Sequence, residues 1–328
     1  MKVSVLMPCY NAAPFLERAL DSVLSQTYSK IEVIATNDGS TDPTPEILKR
    51  YERFGVRVIY QKNSGQCAAA NAAFRLSKGE LIKFFDADDV MDVDMIKLQV
   101  DRLGGRTDAI AMGEWRRFYG SEPDNLPFPD LQMYRDASPI DWLVEEWATT
   151  QPMMQCALWL IPRPIITARG LWDERLSLIN DFEYFARILL GAKEILYTQG
   201  ARLHYRSGLA NSLSGRKNRV SVESQFLSLM LGTGHLLAVR DTEETRLVCA
   251  GLLQSFDYEH FPVHPDLRAK ARARVAELGG ADITPSGPPS FHKLRPWIGW
   301  KAARRLQHAA ERLGLNQAAQ RRKRATRL

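Results

Sequence analysis

Three aspartates follow a hydrophobic run early in the chain, and their spacing suits metal chemistry. Residues 80–85 (Glu-Leu-Ile-Lys-Phe-Phe) predict a buried β-strand, and Asp86, Asp88 and Asp89 come directly after it. On an extended backbone Asp86 and Asp88 point to the same side, where their charges repel each other. Carboxylate oxygens suit Mg²⁺ or Mn²⁺, which proteins often share with substrate phosphates. The alternative is a solvated acidic turn that caps the next helix.

Two earlier strands also end in polar residues, and parallel strands would bring these ends to the same edge of a sheet. The first strand leads into Pro8-Cys9-Tyr10-Asn11, and the second leads into Asn37-Asp38-Gly39-Ser40. Asp38 can accept hydrogen bonds from a nucleobase, and Tyr10 offers a ring for stacking. The same residue types are common in turns and helix caps, so a purely structural role stays open.

The hydrophobic pattern that must position these residues alternates between strand and helix. It predicts strands at 3–7, 31–35, 56–60 and 80–85, with helices at 14–26, around 47–51 and at 66–76. Such alternation indicates βαβ units and a largely parallel sheet. Further along, the pattern predicts strands at 109–115 and 157–161, a long loop at 120–139, a helix at 181–190 and mainly helix after 220.

The composition is that of a globular protein with a basic end. Of 328 residues, 45% are hydrophobic and 25% are charged, which are ordinary values. The net charge is +6, but residues 290–328 carry eleven Lys and Arg against one acid, which leaves −4 for residues 1–289. The four cysteines are far apart, which argues against a zinc site or disulfide framework and favours a reducing compartment. We expect no signal peptide, no membrane span and a cytoplasmic location.

Five ordered motifs resemble those of the inverting glycosyltransferases of family 2, which have the nucleotide-sugar-binding GT-A fold. The family strings P-x-Y-N, S-x-x-x-Q-T, D-D-G-S-x-D, N-x-G-x-x-x-A-R-N and D-x-D-D are matched at residues 8–11, 22–27, 37–42, 63–71 and 86–89. Two positions depart from these strings, because Asn37 replaces the usual first Asp and Ala70 replaces the usual Arg. The resemblance implies an α/β GT-A fold, a Rossmann-like mixed sheet flanked by helices, with a helical C-terminal extension.

The resemblance also implies roles for the matching residues on the nucleotide-sugar side. Asp38 would pair with the nucleobase, Asp86 would lie near the ribose, and Asp88 would hold the Mn²⁺ or Mg²⁺ that bridges the diphosphate. The other residues expected in the nucleotide-sugar site are Pro8, Tyr10, Asn11, Asn63 and, from the later Tyr-Arg string, Arg206.

The resemblance places the catalytic base at the start of a helix after the string Trp172-Asp173-Glu174-Arg175-Leu176. Asp181 is the best match for the base, and Glu183 is the fallback. The acid that the family usually has before it is Asn180 here. The structural alternative is that Asp181 only favours the positive end of the helix.

The chain is expected to have three parts. These are a GT-A domain at 1–215 (nucleotide-sugar binding at 1–105, acceptor side at 106–215), a helical extension at 216–283, and a linker with a basic amphipathic tail at 284–328. Five tryptophans, at 115, 142, 147, 159 and 172, fall on the acceptor side, where each either stacks on a sugar or fills the core. Trp297 and Trp300 near basic residues are typical of helices on anionic membranes, although a solvated terminus is the alternative. No nucleic-acid partner is expected.

The sequence therefore predicts a metal-dependent inverting glycosyltransferase of polysaccharide or cell-envelope biosynthesis. Its donor would be a nucleotide-diphosphate sugar, with UDP as the expected nucleotide, and its acceptor a glycan or a lipid-linked molecule, with possible peripheral contact at the inner face of the membrane. A catalytically silent nucleotide- or carbohydrate-binding protein on the same fold is the alternative, which Asn180 and Ala70 support. A sugar-phosphate nucleotidyltransferase is less favoured, because residues 8–14 contain no glycine for a triphosphate loop.

Overall fold

The computed structural model describes residues 1–120, 123, 126–208 and 218–313, without the side chains of 311 and 312. The chain divides into two compact units, Met1–Thr242 and Glu243–Leu328. The domain boundary expected at 215 falls outside the described residues, and the long helix that follows it belongs to the first unit.

The strands of the first unit form one mixed sheet, which has eight strands in the described part of the chain. They are β1 (Val3–Cys9), β2 (Ile31–Asp38), β3 (Arg57–Gln61), β4 (Leu81–Phe84), β5 (Val90–Met91), β6 (Ala109–Phe118), β7 (Trp159–Pro162) and β8 (Glu194–Arg206). Their spatial order is β3-β2-β1-β4-β7-β6-β8-β5. The strands β1 to β4 are parallel, whereas β7 runs antiparallel to both β4 and β6. The mixed sheet is the architecture that the sequence predicted.

Helices connect these strands and continue through the second unit. In the first unit they are α1 (Ala13–Leu24), α2 (Thr44–Tyr51), α3 (Gln66–Leu76), α4 (Met95–Leu103), α5 (Pro139–Ala148), α6 (Arg163–Arg169), α7 (Asn180–Leu189) and α8 (Arg219–Val239). In the second unit they are α9 (Glu243–Glu259), α10 (Pro265–Glu277) and α11 (Pro289–Arg312), and α11 is interrupted at Gly299. Across the described ranges, no helix has both the length and the apolar content needed to cross a membrane.

The central strand β4 is buried over its whole length, and it contains a lysine. Helices cover both faces of a sheet of this kind, so its central strands are apolar on both sides. Lys83 is nevertheless 0% exposed. Its Nζ donates hydrogen bonds to Oε1 of Gln99 at 2.8 Å and to the carbonyl of Ala157 at 2.7 Å. Lys83 therefore ties β4 to α4 and to the turn before β7.

Four of the five acceptor-side tryptophans fill the core. Trp142, Trp147, Trp159 and Trp172 are at most 6% exposed. The Trp172 ring stacks on Tyr184 of α7, with 3.9 Å between the ring centroids. These four side chains hold the helices on the sheet, and only Trp115, on β6, remains partly exposed.

The strand β8 was not predicted from the sequence, because Gln199 and Gly200 interrupt its apolar alternation. Its neighbour β6 changes register between Met112 and Glu114. Gly113 lies at that point, and a Cβ there would come within 2.4 Å of the carbonyl oxygen of Ala201. A glycine is therefore needed for the two strands to stay paired, and their pairing extends to Phe118 and Arg206.

Candidate active site

The acidic motif lies where β4 ends, beside the ends of β1 and β2. The main-chain N–H of Phe85 donates to the carbonyl of Leu6 at 3.0 Å, so the pairing with β1 continues up to the motif. Because the three strands are parallel, their carboxyl ends share one edge of the sheet. Ligands of α/β sheets bind at such an edge. Pro8, Tyr10, Asn11 and Asp38 lie at these ends or in the loops that follow them, and Asn63 lies in the loop after β3, which is parallel to β2.

Asp89 joins three separate segments of the chain. Its side chain is 0% exposed. One carboxylate oxygen accepts a hydrogen bond from the main-chain N–H of Arg206 at 2.8 Å, and the other accepts one from Nε2 of Gln155 at 2.6 Å. Burial raises the pKa of Asp89, and the charges of Asp88 and Asp86 add to the shift. Asp89 thus holds the motif in place and is not free to bind a substrate.

Asp86 is held between two glutamines. Nε2 of Gln66 donates to its Oδ1 at 2.9 Å, and Nε2 of Gln155 approaches its Oδ2 at 3.5 Å. The orientation of the Gln155 amide is fixed, because its Oε1 accepts a hydrogen bond from the N–H of Ala157 at 2.7 Å. Both amides orient the carboxylate without cancelling its charge. Neither glutamine could be predicted as a site residue from the sequence, because an isolated glutamine belongs to no distinctive motif.

Asp88 has the environment of a cation ligand. Within the described ranges, the hydrogen bond that favours its ionised form comes from its own main-chain N–H. Burial raises the pKa of Asp88 to about 7, the charge of Asp86 adds to the shift, and Arg206 opposes it. A divalent cation would relieve this repulsion, so the carboxylates present fit one. The described residues contain no cluster of three or more His, Cys, Asp or Glu that could hold an ion alone, and Mg²⁺ commonly takes one or two carboxylates plus phosphates and water.

Asp38 is buried and organises the loop after β3. Its side chain is 2% exposed. Its carboxylate accepts hydrogen bonds from Nε2 of Gln61 at 2.7 Å and from the N–H groups of Ser64 and Gly65 at 2.8 and 2.9 Å. Nδ2 of Asn63 donates to the carbonyl of Asp38 at 3.0 Å. The nucleobase contact of Asp38 therefore stays a prediction, and its observed contacts show how the loop after β3 is held in place.

A left-handed turn at Asn11 leaves the ring of Tyr10 in solvent. Asn11 has φ +49°, and its Oδ1 accepts a hydrogen bond from the N–H of Thr41 at 2.8 Å. This bond ties the loop after β1 to the loop after β2. Tyr10 is 47% exposed at the same edge, which leaves its ring available for stacking.

The expected base, Asp181, lies in the first turn of α7 with one carboxylate oxygen unpaired. Its Oδ1 is buried and has no hydrogen-bond partner. Burial raises the pKa of Asp181, and the charge of Asp86 raises it further. This places Asp181 within electrostatic reach of the acidic motif, although 95 positions separate the two residues in the sequence. A carboxyl group with a raised pKa in such a place is suited to accept a proton.

Glu183, the fallback base, is instead engaged in ion pairs. It is 3% exposed and contacts Nε of Arg187 at 2.7 Å and Nε2 of His235 at 3.0 Å. Burial opposes its ionisation, but the hydrogen bonds from His235 and Arg187 outweigh burial and lower the pKa of Glu183. A carboxylate held in this way is a weak base, so Asp181 is the better candidate.

Arg206 holds the main chain of the acidic motif by a hydrogen bond. Its Nε donates to the carbonyl of Asp88 at 2.7 Å. Its guanidinium lies 4.4 Å from the ring centroids of both Phe15 and Phe118, and the residue is 4% exposed. The role at the diphosphate stays a prediction, whereas the observed contacts fix the main chain that carries Asp88.

Comparison with known proteins identifies a matching family and relatives that are similar over part of the chain. The family described as "Glycosyl transferase family 2" matches residues 4–158. Glycosyltransferase GlyA of Streptococcus pneumoniae is 35% identical over 123 residues, which are 37% of this chain and 18% of GlyA. The uncharacterized glycosyltransferase EpsJ of Bacillus subtilis is 35% identical over 138 residues, 40% of this chain and 39% of EpsJ. Chondroitin synthase of Escherichia coli is 40% identical over 103 residues, 31% of this chain and 15% of the synthase. The chain thus spans well under half the length of these relatives.

Two solved structures are similar over nearly the whole chain. S. aureus TarS 1–349 in complex with UDP has a TM-score of 0.64 and 17% identity, with 96% of this chain and 92% of that chain covered. The mannosyltransferase PcManGT from Pyrobaculum calidifontis, in complex with GDP-Man and Mn²⁺, has a TM-score of 0.55 and 18% identity, covering 96% and 80%. At this level of identity the likeness shows a shared fold, the one that the sequence predicted.

Proposed function

We propose that this chain transfers a sugar from a nucleotide-diphosphate donor to a glycan or lipid-linked acceptor, because residues 4–158 match the family described as "Glycosyl transferase family 2" and the first unit has the GT-A fold. The observation that carries the proposal is the hydrogen-bonded link between the start of α7 and the acidic motif: Asn180, next to Asp181, donates to Gln66 at 3.2 Å, and Gln66 donates to Asp86 at 2.9 Å. The unpaired carboxylate oxygen of Asp181 lies within electrostatic reach of Asp86, where a donor held by the strand ends would present its sugar.

The proposed reaction is a single displacement that inverts the anomeric carbon. Asp181 takes the proton of an acceptor hydroxyl while the hydroxyl oxygen bonds to the anomeric carbon of the donor sugar. The bond from that carbon to the diphosphate oxygen breaks, and its electron pair leaves with the nucleoside diphosphate. Asp88 would hold a Mn²⁺ or Mg²⁺ ion, which neutralises charge on the departing diphosphate when bound. Asp86, fixed by its two glutamines, would orient the ribose.

We propose a UDP-linked donor. Support comes from the TarS structures, which are described in complex with UDP and with UDP-GlcNAc. The mannosyltransferase complex contains GDP-Man and Mn²⁺ instead, so the donor has to be tested with both nucleotides.

The alternative is a catalytically silent binding protein on the same fold. Asn180 and Ala70 favour it, because the family usually has an acid and an arginine at these positions. The two proposals differ in turnover and agree in nucleotide binding.

The test is turnover of a panel of UDP- and GDP-sugars with Mn²⁺ by the parent protein and three variants. We expect Asp181→Asn to lower kcat by about 10²- to 10⁴-fold, the usual contribution of a general base. Asp88→Asn should remove the dependence on Mn²⁺. Asp101→Asn, at an exposed acid paired with Lys97 on α4, is the control and should act like the parent. Tight nucleotide binding without turnover of any donor would establish the silent alternative.

We also propose that the second unit contacts an anionic membrane through α11. Leu294, Trp297 and Ile298 are 40%, 87% and 42% exposed. Lys301 follows soon after Gly299, where a φ of +72° interrupts the helix. Beyond this interruption the ring of Trp300 packs within the second unit, 4.9 Å from the ring of Tyr258. An exposed tryptophan among basic residues suits the interface of an anionic bilayer. The basic run at 321–324 lies outside the described residues.

Co-sedimentation with vesicles tests this contact. We expect the parent to bind vesicles that contain phosphatidylglycerol and to ignore pure phosphatidylcholine. Trp297→Ser should weaken binding, whereas Phe54→Ser, at an exposed ring of the first unit, should not. Equal binding by the parent and Trp297→Ser would exclude α11 as the contact.

A further inference from the structure

Two aromatic side chains and one arginine form a cluster on β6 and β8. The strands pair in register, with Arg117 opposite Tyr205. The rings of Trp115 and Tyr205 meet edge to face, with 6.4 Å between their centroids. The guanidinium of Arg117 lies 5.8 Å from the centroid of each ring. We call these three residues the Trp115–Arg117–Tyr205 cluster.

The cluster borders the reacting centre and contains none of the residues assigned to the donor, the metal or the base. Tyr205 directly precedes Arg206, whose N–H binds Asp89. Burial raises the pKa of the Tyr205 hydroxyl, and the charges of Asp86, Asp89 and Asp181 raise it further. The ring of Tyr205 is therefore within the field of the acidic motif and of the proposed base.

Arg117 differs in its partners from three other exposed arginines of the first unit. Arg102, Arg135 and Arg175 each form an ion pair with a carboxylate. Arg117 is exposed, and within the described part of the chain its observed contacts are the two aromatic rings. These contacts use the faces of the rings and leave the N–H donors of the guanidinium available. A planar guanidinium with available N–H donors binds phosphate or carboxylate through two parallel hydrogen bonds.

The partner of this cluster belongs to the acceptor side. Asp38, Asp86 and Asp88, assigned to the nucleobase, the ribose and the metal, lie at or after the ends of β2 and β4, whereas the cluster lies on β6 and β8. Arg206, expected at the diphosphate, directly follows Tyr205, and the charge of Asp181 reaches the Tyr205 hydroxyl. Aromatic side chains with a few placed polar groups are typical of small-molecule sites. A sugar against Trp115 and Tyr205 would bring an anionic substituent to Arg117.

We propose that the Trp115–Arg117–Tyr205 cluster is an acceptor subsite for a sugar that carries an anionic group, either a phosphate or a carboxylate. Calling this site an acceptor subsite rests on the proposed function, but the binding of a sugar there can be measured without any turnover of a donor. The aromatic rings contact the sugar, and the guanidinium of Arg117 binds the anionic group.

The experiment is a ligand-observed NMR titration of the full-length protein with glucose 6-phosphate and, as the neutral match, glucose. The variants are Arg117→Gln and Arg53→Gln. Arg53 is a matched control, because it is exposed and its guanidinium lies 4.6 Å from the ring of Phe54, so the charge change and the ring contact are alike. We expect the parent to prefer glucose 6-phosphate. Arg117→Gln should weaken that probe roughly tenfold, as for loss of a hydrogen bond to a charged group, and leave glucose unchanged.

Each outcome decides a separate question. Equal binding of both probes by the parent, or the same loss in Arg53→Gln as in Arg117→Gln, would overturn the subsite. The titration is repeated with UDP and Mn²⁺ present. Displacement of glucose 6-phosphate by UDP would show that the donor site binds the anion, and this result would also overturn the proposed acceptor subsite. If the protein turns over no donor but still binds glucose 6-phosphate selectively through Arg117, the anionic sugar site is supported and the proposed transferase function is wrong.

Discussion

Nδ2 of Asn180 donates a hydrogen bond to Oε1 of Gln66 at 3.2 Å, and Nε2 of Gln66 donates to Asp86 at 2.9 Å. The two amides thus link the start of α7, where Asp181 lies, to the acidic motif. Their direction is fixed, because Asp86 can only accept. Since Asp86 and Asp181 are like charges, neutral amides connect them without adding to the repulsion.

This relay predicts the effect of restoring an acid at position 180. Asn180→Asp would remove the donor to Gln66 and place another negative charge beside Asp181. We expect the acidic limb of the pH–kcat/KM profile to move upward by about one pH unit, equivalent to about 1.4 kcal/mol. Asn180→Leu, the uncharged control, should lower kcat without moving the limb. Identical profiles for the parent and Asn180→Asp would show that the relay does not position the base.

The raised pKa of Asp181 predicts that activity increases with pH over a range above the usual pKa of an aspartate. The base must be ionised, and burial and the charge of Asp86 both raise its pKa. We therefore expect activity to be lost as the pH falls through a value well above 3.9, the usual pKa of aspartate. A pH profile at saturating donor measures this limb. A limb at the ordinary aspartate value would mean that another group limits the reaction.

Binding of a metal at Asp88 predicts a thermal shift. A ligand present at about 100 times its Kd stabilises the folded state by about 2.7 kcal/mol. We expect UDP with Mn²⁺ to raise Tm by several degrees, and UDP with EDTA to raise it less. In Asp88→Asn the two conditions should give the same Tm. A Mn²⁺ effect that survives this substitution would place the ion elsewhere.

Lys83 predicts how stability depends on alkaline pH. Burial lowers the pKa of Lys83 to about 7, so the folded state binds its proton more weakly than the unfolded state. Stability should then rise with pH from about 7 to about 10, by an amount on the order of 4 kcal/mol. Lys83→Met should lose this rise, whereas Lys97→Met, at an exposed lysine, should keep it. Urea unfolding at several pH values measures both slopes, and parallel curves for the parent and Lys83→Met would contradict the prediction.

The nucleotide half of the fold could be predicted because its signals are local. Strand and helix alternate with regular periodicity, and α3 begins and ends at the predicted residues, Gln66 and Leu76. The acceptor half could not be predicted as well, since β8 depends on a register change at Gly113 that only tertiary pairing reveals.

The candidate site shows the same division. The motif residues were recognised because their types and order are distinctive. Gln66 and Gln155 were missed because their function comes from contacts with residues far away in the sequence. The sequence could not show that Trp115 differs from the four core tryptophans, because the difference lies in their burial, which only the structure reveals.

The attachment of Asp89 to Gln155 and to the main chain of Arg206 has a consequence for engineering. A chimaera that takes residues 1–105 from this chain and the rest from a relative would inherit a carboxylate whose two anchors come from the other parent. The anchor at Arg206 is a main-chain N–H, so any residue except proline at that position can donate this hydrogen bond. The Gln155 anchor is a side chain, so the junction will be tolerated only where the relative has a donor there, and otherwise residue 155 must be transplanted together with the motif.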